Sequence, residues 1–100
     1  MNKKIFVMLT KTPYGNDENL VRINRCKKDD VIIFAQDSVF ALLNPESEIL
    51  KLANEMISKG VRIFASEADC KARGVVPPSY IKIASFPDQI DLLCDCDLSF

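Results

Sequence analysis

The stretch 61–75 contains the side chain with the clearest chemical potential in this sequence, the thiol of Cys70. An apolar run ends there in small and acidic residues, and Cys70 follows together with Lys71 and Arg73. Nearby cations favour the thiolate, which is the nucleophilic form of cysteine. A second interpretation makes Cys70 a small buried helix residue, because free cysteine is among the most buried residue types. The residues alone leave both interpretations open.

The charges around Cys70 oppose each other. Arg73 lies three residues further on and shares a helix face with Cys70, whereas Lys71 is adjacent and diverges by about 100° around the helix. Glu67 and Asp69 disfavour a thiolate by placing negative charge nearby. We expect the acidic groups to have the slightly stronger effect, so that the thiol is not activated.

Cys94 and Cys96 form a second pair of candidate residues, separated by Asp95. Two thiols at this spacing cannot make a tetrahedral zinc site alone, and the chain has no histidine. We therefore expect no metal and no cofactor, with an intermolecular metal site or a redox pair as the less favoured alternative. Our prediction is that Cys94 packs on the core with Leu93 and that Cys96 lies in a fraying tail.

The composition indicates one domain spanning residues 1–100, with 48% hydrophobic and 27% charged residues. The net charge of −1 provides no field that would recruit nucleic acid or an anionic membrane, so we expect no direct nucleic-acid binding and no membrane association. No apolar run approaches the roughly 18 residues that span a bilayer, and no signal-peptide pattern follows Met1. These observations predict a cytoplasmic protein with reduced thiols.

Four short apolar runs alternate with helix-like segments, at 4–10, 30–35, 61–65 and 80–84. Strands that alternate with helices predict right-handed crossovers and a parallel sheet with helices on both faces. The fold class is therefore α/β, a three-layer α/β/α domain with a mostly parallel central sheet of four to five strands. The last run alternates most clearly between apolar and polar residues, which favours a position near an edge.

Helix boundaries follow from capping signals. Asn16 is predicted to cap a helix between the first two strands. Asn44 is predicted to cap a second helix that has Pro45 at its first position and ends at Gly60. A short helical turn is expected at 39–43.

A last helix is predicted after the fourth strand. Ser85 with Asp88 three residues later resembles a capping box around Pro87. Such a helix would extend through Ile90 to Cys94.

Polar residues follow each predicted strand, and the carboxyl ends of parallel strands form the ligand-binding edge of a sheet. Asp37 could orient a partner or cap the turn that follows it, and we favour the cap. Ser66 and Asp69 are predicted as the N-cap and the first-turn acid of the helix that contains Cys70. The predicted binding edge consists of Thr10, Lys11, Tyr14, Gln36, Asp37, Ser38, Ser66, Asp69 and Arg73.

Three motifs in order resemble the DsrE/DsrF/DsrH family, most closely its DsrH (TusB-like) branch. They are Thr-Lys-Thr-Pro-Tyr at 10–14, Gln-Asp-Ser-Val at 36–39 and Ala-Arg-Gly-Val at 72–75. In that branch the first strand leads into a Lys/Arg-Ser-Pro-aromatic loop, the second into Gln-Asp-Gly-Val, and the third unit ends in Ala-Arg-Gly. Ser38 stands where the family often has glycine.

The resemblance implies a small α/β subunit of homo-oligomers, or of hetero-oligomers with related DsrE/DsrF-like subunits, and a possible sulfur-carrier protein as partner. The implied process is persulfide relay, towards 2-thiouridine in tRNA or in sulfur oxidation. Ser66 aligns with the carrier cysteine of the relay subunit, and serine cannot hold a persulfide. We therefore expect a non-catalytic subunit. The alternatives are a thiol-dependent sulfurtransferase that uses Cys70 as its catalytic carrier, or a small-ligand or anion-binding module.

Overall fold

The central sheet forms from the four predicted apolar runs and one additional short strand. In the structure, a computed structural model that describes residues 3–14 and 17–100, all five strands are parallel in the order β4-β3-β2-β1-β5. The strands are β1 Ile5–Leu9, β2 Val31–Phe34, β3 Arg62–Ser66, β4 Lys82–Ala84 and β5 Leu98–Ser99. The predicted α/β class and strand number are confirmed, and β4 lies at an edge as its alternation indicated.

The connections place the helices unequally on the two faces. From β1 to β4 each strand lies beside its predecessor in one direction, so right-handed crossovers put three helices on the same face. The connection from β4 to β5 runs back across the sheet, which puts the last helix on the opposite face. The helices are α1 Glu18–Asn24, α2 Glu48–Ser58, α3 Glu67–Arg73 and α4 Phe86–Cys94.

Two apolar cores correspond to these two faces. The larger core joins strand residues such as Leu9 and Ile32 to Ile23 of α1 and Met56 of α2. The smaller core contains Phe6, Val31, Ile33 and Ala35, with Leu92 of α4 packed against it. All four residues of β2 are buried, which explains why this central strand is continuously apolar in sequence.

Asp30 fixes the amino end of the sheet and is completely buried. Its Oδ1 accepts a hydrogen bond of 2.9 Å from the Ile5 amide, and its Oδ2 accepts one of 2.8 Å from the Lys27 amide. The Lys27 ammonium lies 3.8 Å from the same carboxylate. Asp30 therefore ties the start of β1 to the turn between α1 and β2.

Helix α2 begins later than Asn44 and Pro45 predicted. Ser47 has extended backbone angles, and its Oγ accepts a hydrogen bond from the Leu50 amide, so Ser47 is the cap. The Asn44 side chain instead accepts from the Glu46 amide at 3.0 Å in the turn that precedes the helix. Gly60 adopts a φ of 92° just after the helix, which confirms the predicted end. The predicted cap Asn16 lies outside the described residues.

A 3-10 helix, Gln36–Leu43, follows β2 and includes the helical turn expected at 39–43. The longest helix is α2, with 11 residues. No helix within residues 3–14 and 17–100 is long and apolar enough to cross a membrane.

Helix α4 confirms the capping box, because Ser85 Oγ accepts from the Asp88 amide and Asp88 Oδ2 accepts from the Ser85 amide. The prediction for Cys94, at the end of this helix, and for Cys96, just after it, was wrong. Cys94 is exposed on the outer side of the helix, whereas Cys96 is half-buried and packs against the smaller core. The segment is held as a strand because the Phe100 amide donates to the carbonyl of Phe6 at 2.8 Å.

Candidate functional site

The carboxyl edge of the sheet brings three of the predicted site residues together. Arg73 Nε donates to Asp37 Oδ1 at 3.2 Å, and Arg73 Nη1 lies 3.5 Å from Asp69 Oδ1. This Arg73 cluster (Asp37, Asp69 and Arg73) joins the 3-10 helix to α3. Two carboxylates surround one guanidinium group, so the formal charge of the cluster is negative. The cluster therefore offers no free cation to an anionic ligand.

Asp37 is not the predicted cap. The 3-10 helix begins after Ala35. Among the described hydrogen bonds, the Asp37 carboxylate accepts none from a backbone amide in the first turn of this helix. Ser38 has the structural role instead. Its Oγ accepts from the Ala35 amide at 2.9 Å and lies 2.7 Å from the carbonyl oxygens of Leu9 and Ala35. A glycine here could not make these bonds, which link the end of β1 to the turn after β2.

Gln36 lies in the same turn with a φ of 48°, a left-handed conformation that is uncommon outside glycine. Its side chain is exposed. The buried hydroxyl of Ser38, two residues further on, bonds to the Ala35 backbone across the same turn.

Ser66 ends β3 and occupies the predicted N-cap position of α3, but its hydroxyl makes no capping bond. The residue is only 4% exposed. Its Oγ accepts a hydrogen bond of 3.2 Å from Gln89 Nε2, and the same amide donates to the carbonyl of Ala84 at 3.1 Å. Ser66 is therefore enclosed by a side chain from α4 rather than open at the sheet edge.

Gln89 was not singled out by the sequence reasoning. Its signal is its spacing, because Gln89 and Leu92 are three residues apart and both face the sheet. A polar residue on the apolar face of a helix indicates a buried hydrogen-bonding partner.

Cys70 is on α3 and is only 3% exposed. Burial raises the pKa of its thiol, Asp69 raises it further, and Arg73 lowers it. The acidic influence thus exceeds that of the nearby cation, as the sequence indicated, and the buried environment adds to it. This environment favours the interpretation of Cys70 as a core residue over that of a reactive thiol.

The thiols of buried Cys26 and half-buried Cys96 also have raised pKa values. Burial is the first cause of the raised pKa of Cys26, which is about 11, and of the raised pKa of Cys96. Only Cys94 among the four has an exposed side chain.

The loop after β1 forms a separate part of the edge. Thr10, Lys11 and Tyr14 lie there, and no described hydrogen bond joins them to the Arg73 cluster. The carbonyl of Lys11 accepts from the buried side chain of Asn19 at 2.9 Å, which holds the loop against α1.

Tyr14 is exposed beside a cavity of about 270 Å³ between the loop after β1 and the start of α2. Phe40 contributes a second aromatic ring to its lining, and Asp17 and Glu48 contribute carboxylates. The described lining contains no basic side chain. Within residues 3–14 and 17–100, no group of three or more histidine, cysteine or acidic side chains could hold a metal ion.

Comparisons with known proteins agree with this architecture. A family model described as "DsrH like protein" matches residues 11–97. Among solved structures, the ychN protein from E. coli superposes with a TM-score of 0.78 at 15% sequence identity, covering 99% of this chain and 98% of the other. This likeness supports the fold alone. No curated protein sequence matches the chain.

Proposed function

The chain belongs to the DsrH-like family, which implies a role in sulfur relay, and we propose from this premise that it is a non-catalytic subunit of a sulfur-relay assembly. We propose that it acts in the cytoplasm. The process is persulfide transfer of the kind that leads to 2-thiouridine in tRNA or to sulfur oxidation.

This proposal rests on two properties of Ser66, the oxygen in its side chain and its burial. The resemblance aligns Ser66 with the carrier cysteine of the relay subunit, and an oxygen in place of sulfur removes the nucleophile that would receive a persulfide. The Ser66 hydroxyl is buried and bound by Gln89, so a persulfide donor does not reach this position. Without sulfur chemistry at this position, the contribution of the chain is to structure and assembly.

The alternative of Cys70 as the carrier is less well supported by its surroundings. A carrier thiol must be accessible and largely ionised to attack a sulfane sulfur. Cys70 is buried, and its pKa is raised by burial and by Asp69.

Thiol alkylation tests this alternative directly. We expect iodoacetamide to label the native protein rapidly at Cys94 alone, and a Cys94→Ser variant to label slowly everywhere. Rapid labelling of Cys70 near neutral pH would support a sulfurtransferase instead.

A small-ligand module is the second candidate function, because the cavity between Tyr14 and Phe40 is open and partly aromatic. Its carboxylates, Asp17 and Glu48, argue against the anion-binding form of this hypothesis, as does the compensated charge of Arg73. A ligand that binds only the folded state stabilises it by an amount that grows with the logarithm of ligand concentration above its Kd, and this raises the melting temperature. Stabilisation by a neutral or cationic compound that is lost in Tyr14→Ala would favour this candidate.

The assembly itself is tested by native mass spectrometry of the protein purified from its own host. We expect an oligomer that contains this chain, either alone or with related DsrE/DsrF-like subunits, and with any added sulfur on the partner. A monomer without partners, or sulfur on this chain, would contradict the proposal.

A further inference from the structure

The outer edge of the sheet, where β5 lies beside β1, has an apolar surface on the side of α1. Ile5 is paired with Leu98 in the register of the two strands. Alternate positions of a strand share one face of the sheet, and Val7 and Phe100 are each two positions further on. Ile5 and Val7 belong to the larger core, which is the core that α1 covers. Leu98 and Phe100 are 45% and 63% exposed, so the end of this face is open to solvent.

A cavity of about 180 Å³ lies over this surface. Ile5, Val7 and Phe100 form its apolar wall, and the arginines Arg22 and Arg25 of α1 contribute the other side chains. Its described lining contains no acidic side chain. An apolar cavity of about 150 Å³ is large enough for benzene, so this one has room for a six-carbon ring or chain. We call it the arginine cavity.

The two arginines bring their guanidinium groups to this cavity without a carboxylate partner. They are three residues apart and therefore lie on one side of α1. Arg22 is half-buried, and its Nη1 donates to the carbonyl of Met8 at 3.1 Å, which holds the group against the edge of β1. Among the ion pairs of residues 3–14 and 17–100, none includes Arg22 or Arg25. A guanidinium group has five N–H donors, so most donors of both arginines have no described acceptor.

The other two arginines of the chain are compensated. Arg62 pairs with Asp95 at 3.1 Å, and Arg73 pairs with Asp37 and Asp69. The arginine cavity is thus the place where guanidinium groups without a described carboxylate partner meet an apolar wall. A carboxylate is the group that a guanidinium binds best, through two parallel charge-assisted hydrogen bonds.

We propose that the arginine cavity binds a small amphiphilic carboxylate, an acid with an apolar body of about six carbons. The carboxylate pairs with Arg25 and with the nitrogens of Arg22 that do not bind Met8, and the apolar body covers the wall of Ile5, Val7 and Phe100. Both parts of the ligand are needed, because an inorganic anion leaves the wall in water and a neutral chain leaves the guanidinium groups unpaired.

This site is distinct from the position that aligns with a sulfur carrier. Ser66 ends β3, and the strands β2 and β1 separate β3 from β5. The inference therefore goes beyond the proposed role in sulfur relay and does not depend on it.

A titration with matched six-carbon compounds tests the site. Hexanoate is added to the full-length chain while the methyl resonances of Ile5 and Val7 are followed by NMR. We expect saturable shifts with a Kd of about 1 mM or tighter, as is reasonable for so small a ligand. Acetate lacks the apolar body, 1-hexanol lacks the charge and hexylammonium reverses it. Each of these three compounds should bind at least about tenfold more weakly than hexanoate.

Substitution of Arg25 tests the contribution of charge without disturbing the bond from Arg22 to Met8. Arg25→Gln should weaken hexanoate binding about tenfold and leave the melting temperature of the free protein unchanged, because Arg25 is exposed and makes no described side-chain bond. Lys28→Gln is the matched control, because it removes an exposed cation that follows α1 and does not line the cavity. Phe100→Ala should also weaken binding, since it removes part of the wall.

Three results would overturn the proposal. They are the absence of saturable shifts at Ile5 and Val7 throughout the millimolar range, an affinity for any of the three control compounds that equals the affinity for hexanoate, and unchanged hexanoate binding in Arg25→Gln. Equal weakening by Lys28→Gln and Arg25→Gln would show a response to net charge alone and would also overturn it.

Discussion

Gln89 on α4 donates a hydrogen bond of 3.2 Å to Ser66 at the carboxyl end of β3. Ser66 lies at the end of a strand, and Gln89 reaches it from α4, which packs on the face of the sheet that α3 does not cover. With this bond, the Gln89 side chain covers the carboxyl end of β3 at the position where the family resemblance places a sulfur carrier. It therefore links the architecture of the sheet directly to the proposed loss of carrier chemistry.

Removal of the Gln89 side chain should lower the free energy of unfolding. Gln89→Ala removes the donor to Ser66 Oγ and to the Ala84 carbonyl, leaving both in a buried setting. We expect the free energy of unfolding to fall by about 1–3 kcal/mol in urea titration. Cys94→Ala on the exposed side of the same helix is the control and should change it by less than about 0.5 kcal/mol. Equal effects of the two variants would contradict the role of Gln89.

Asp30 should contribute more to stability than any exposed carboxylate. Asp30→Ala leaves the amides of Ile5 and Lys27 without their acceptor in a fully buried position. The expected loss in the free energy of unfolding is about 3 kcal/mol, with a smaller loss for Asp30→Asn, which keeps one acceptor oxygen. Urea titration measures both. A loss below about 1 kcal/mol for Asp30→Ala would show that water replaces the carboxylate.

Substitutions at the neighbouring residues Asp37 and Ser38 should lower the free energy of unfolding by very different amounts. Asp37 makes a half-exposed ion pair with Arg73, so a double-mutant cycle over the two residues should give a coupling of about 0.2–1 kcal/mol. Ser38→Ala removes buried hydrogen bonds and should cost about 2 kcal/mol. Thermal or urea unfolding ranks the variants. A greater loss for Asp37→Ala than for Ser38→Ala would reverse this assignment.

The buried thiol of Cys26 should make stability fall at alkaline pH. Burial raises its pKa from 9.0 to about 11, so the folded state holds the proton more tightly than the unfolded state. This contribution is complete below the ordinary pKa of 9.0 and is lost as the pH rises towards 11.

The comparison of Cys26→Ala with wild type isolates this effect. The variant should lose less stability than wild type between these pH values, whatever its stability at neutral pH. Cys94→Ala, which removes an exposed thiol, should follow the wild-type profile. Parallel profiles for wild type and Cys26→Ala would rule out this linkage.

Local signals were sufficient for much of the fold. The β2 run is apolar throughout because it is buried on both faces, and Ser85 with Asp88 makes the predicted capping box. The start of α2 was mistaken because two residues compete as caps, and the extended backbone of Ser47 decided in its favour over Asn44. Strand β5 has two residues, too few for a hydrophobic pattern, and its pairing with β1 depends on a long-range contact.

The site was harder to predict because its geometry depends on contacts between distant segments. Asp37 and Arg73 are separated by more than thirty positions, so the ion pair between them leaves no local signature. The burial of Ser66 likewise depends on Gln89, which arrives from the opposite face of the sheet. The edge that the parallel topology assembles was predicted, whereas the contacts within it were not.

The most direct test of the non-catalytic role is sulfur loading followed by intact mass analysis. The wild-type chain, Cys70→Ser and Cys94→Ser are each incubated with a cysteine desulfurase and cysteine, with a carrier subunit as positive control. We predict an unchanged mass for all three forms of this chain while the control gains sulfur. A single sulfur on the wild-type chain that disappears in Cys70→Ser would make Cys70 a carrier and contradict the account.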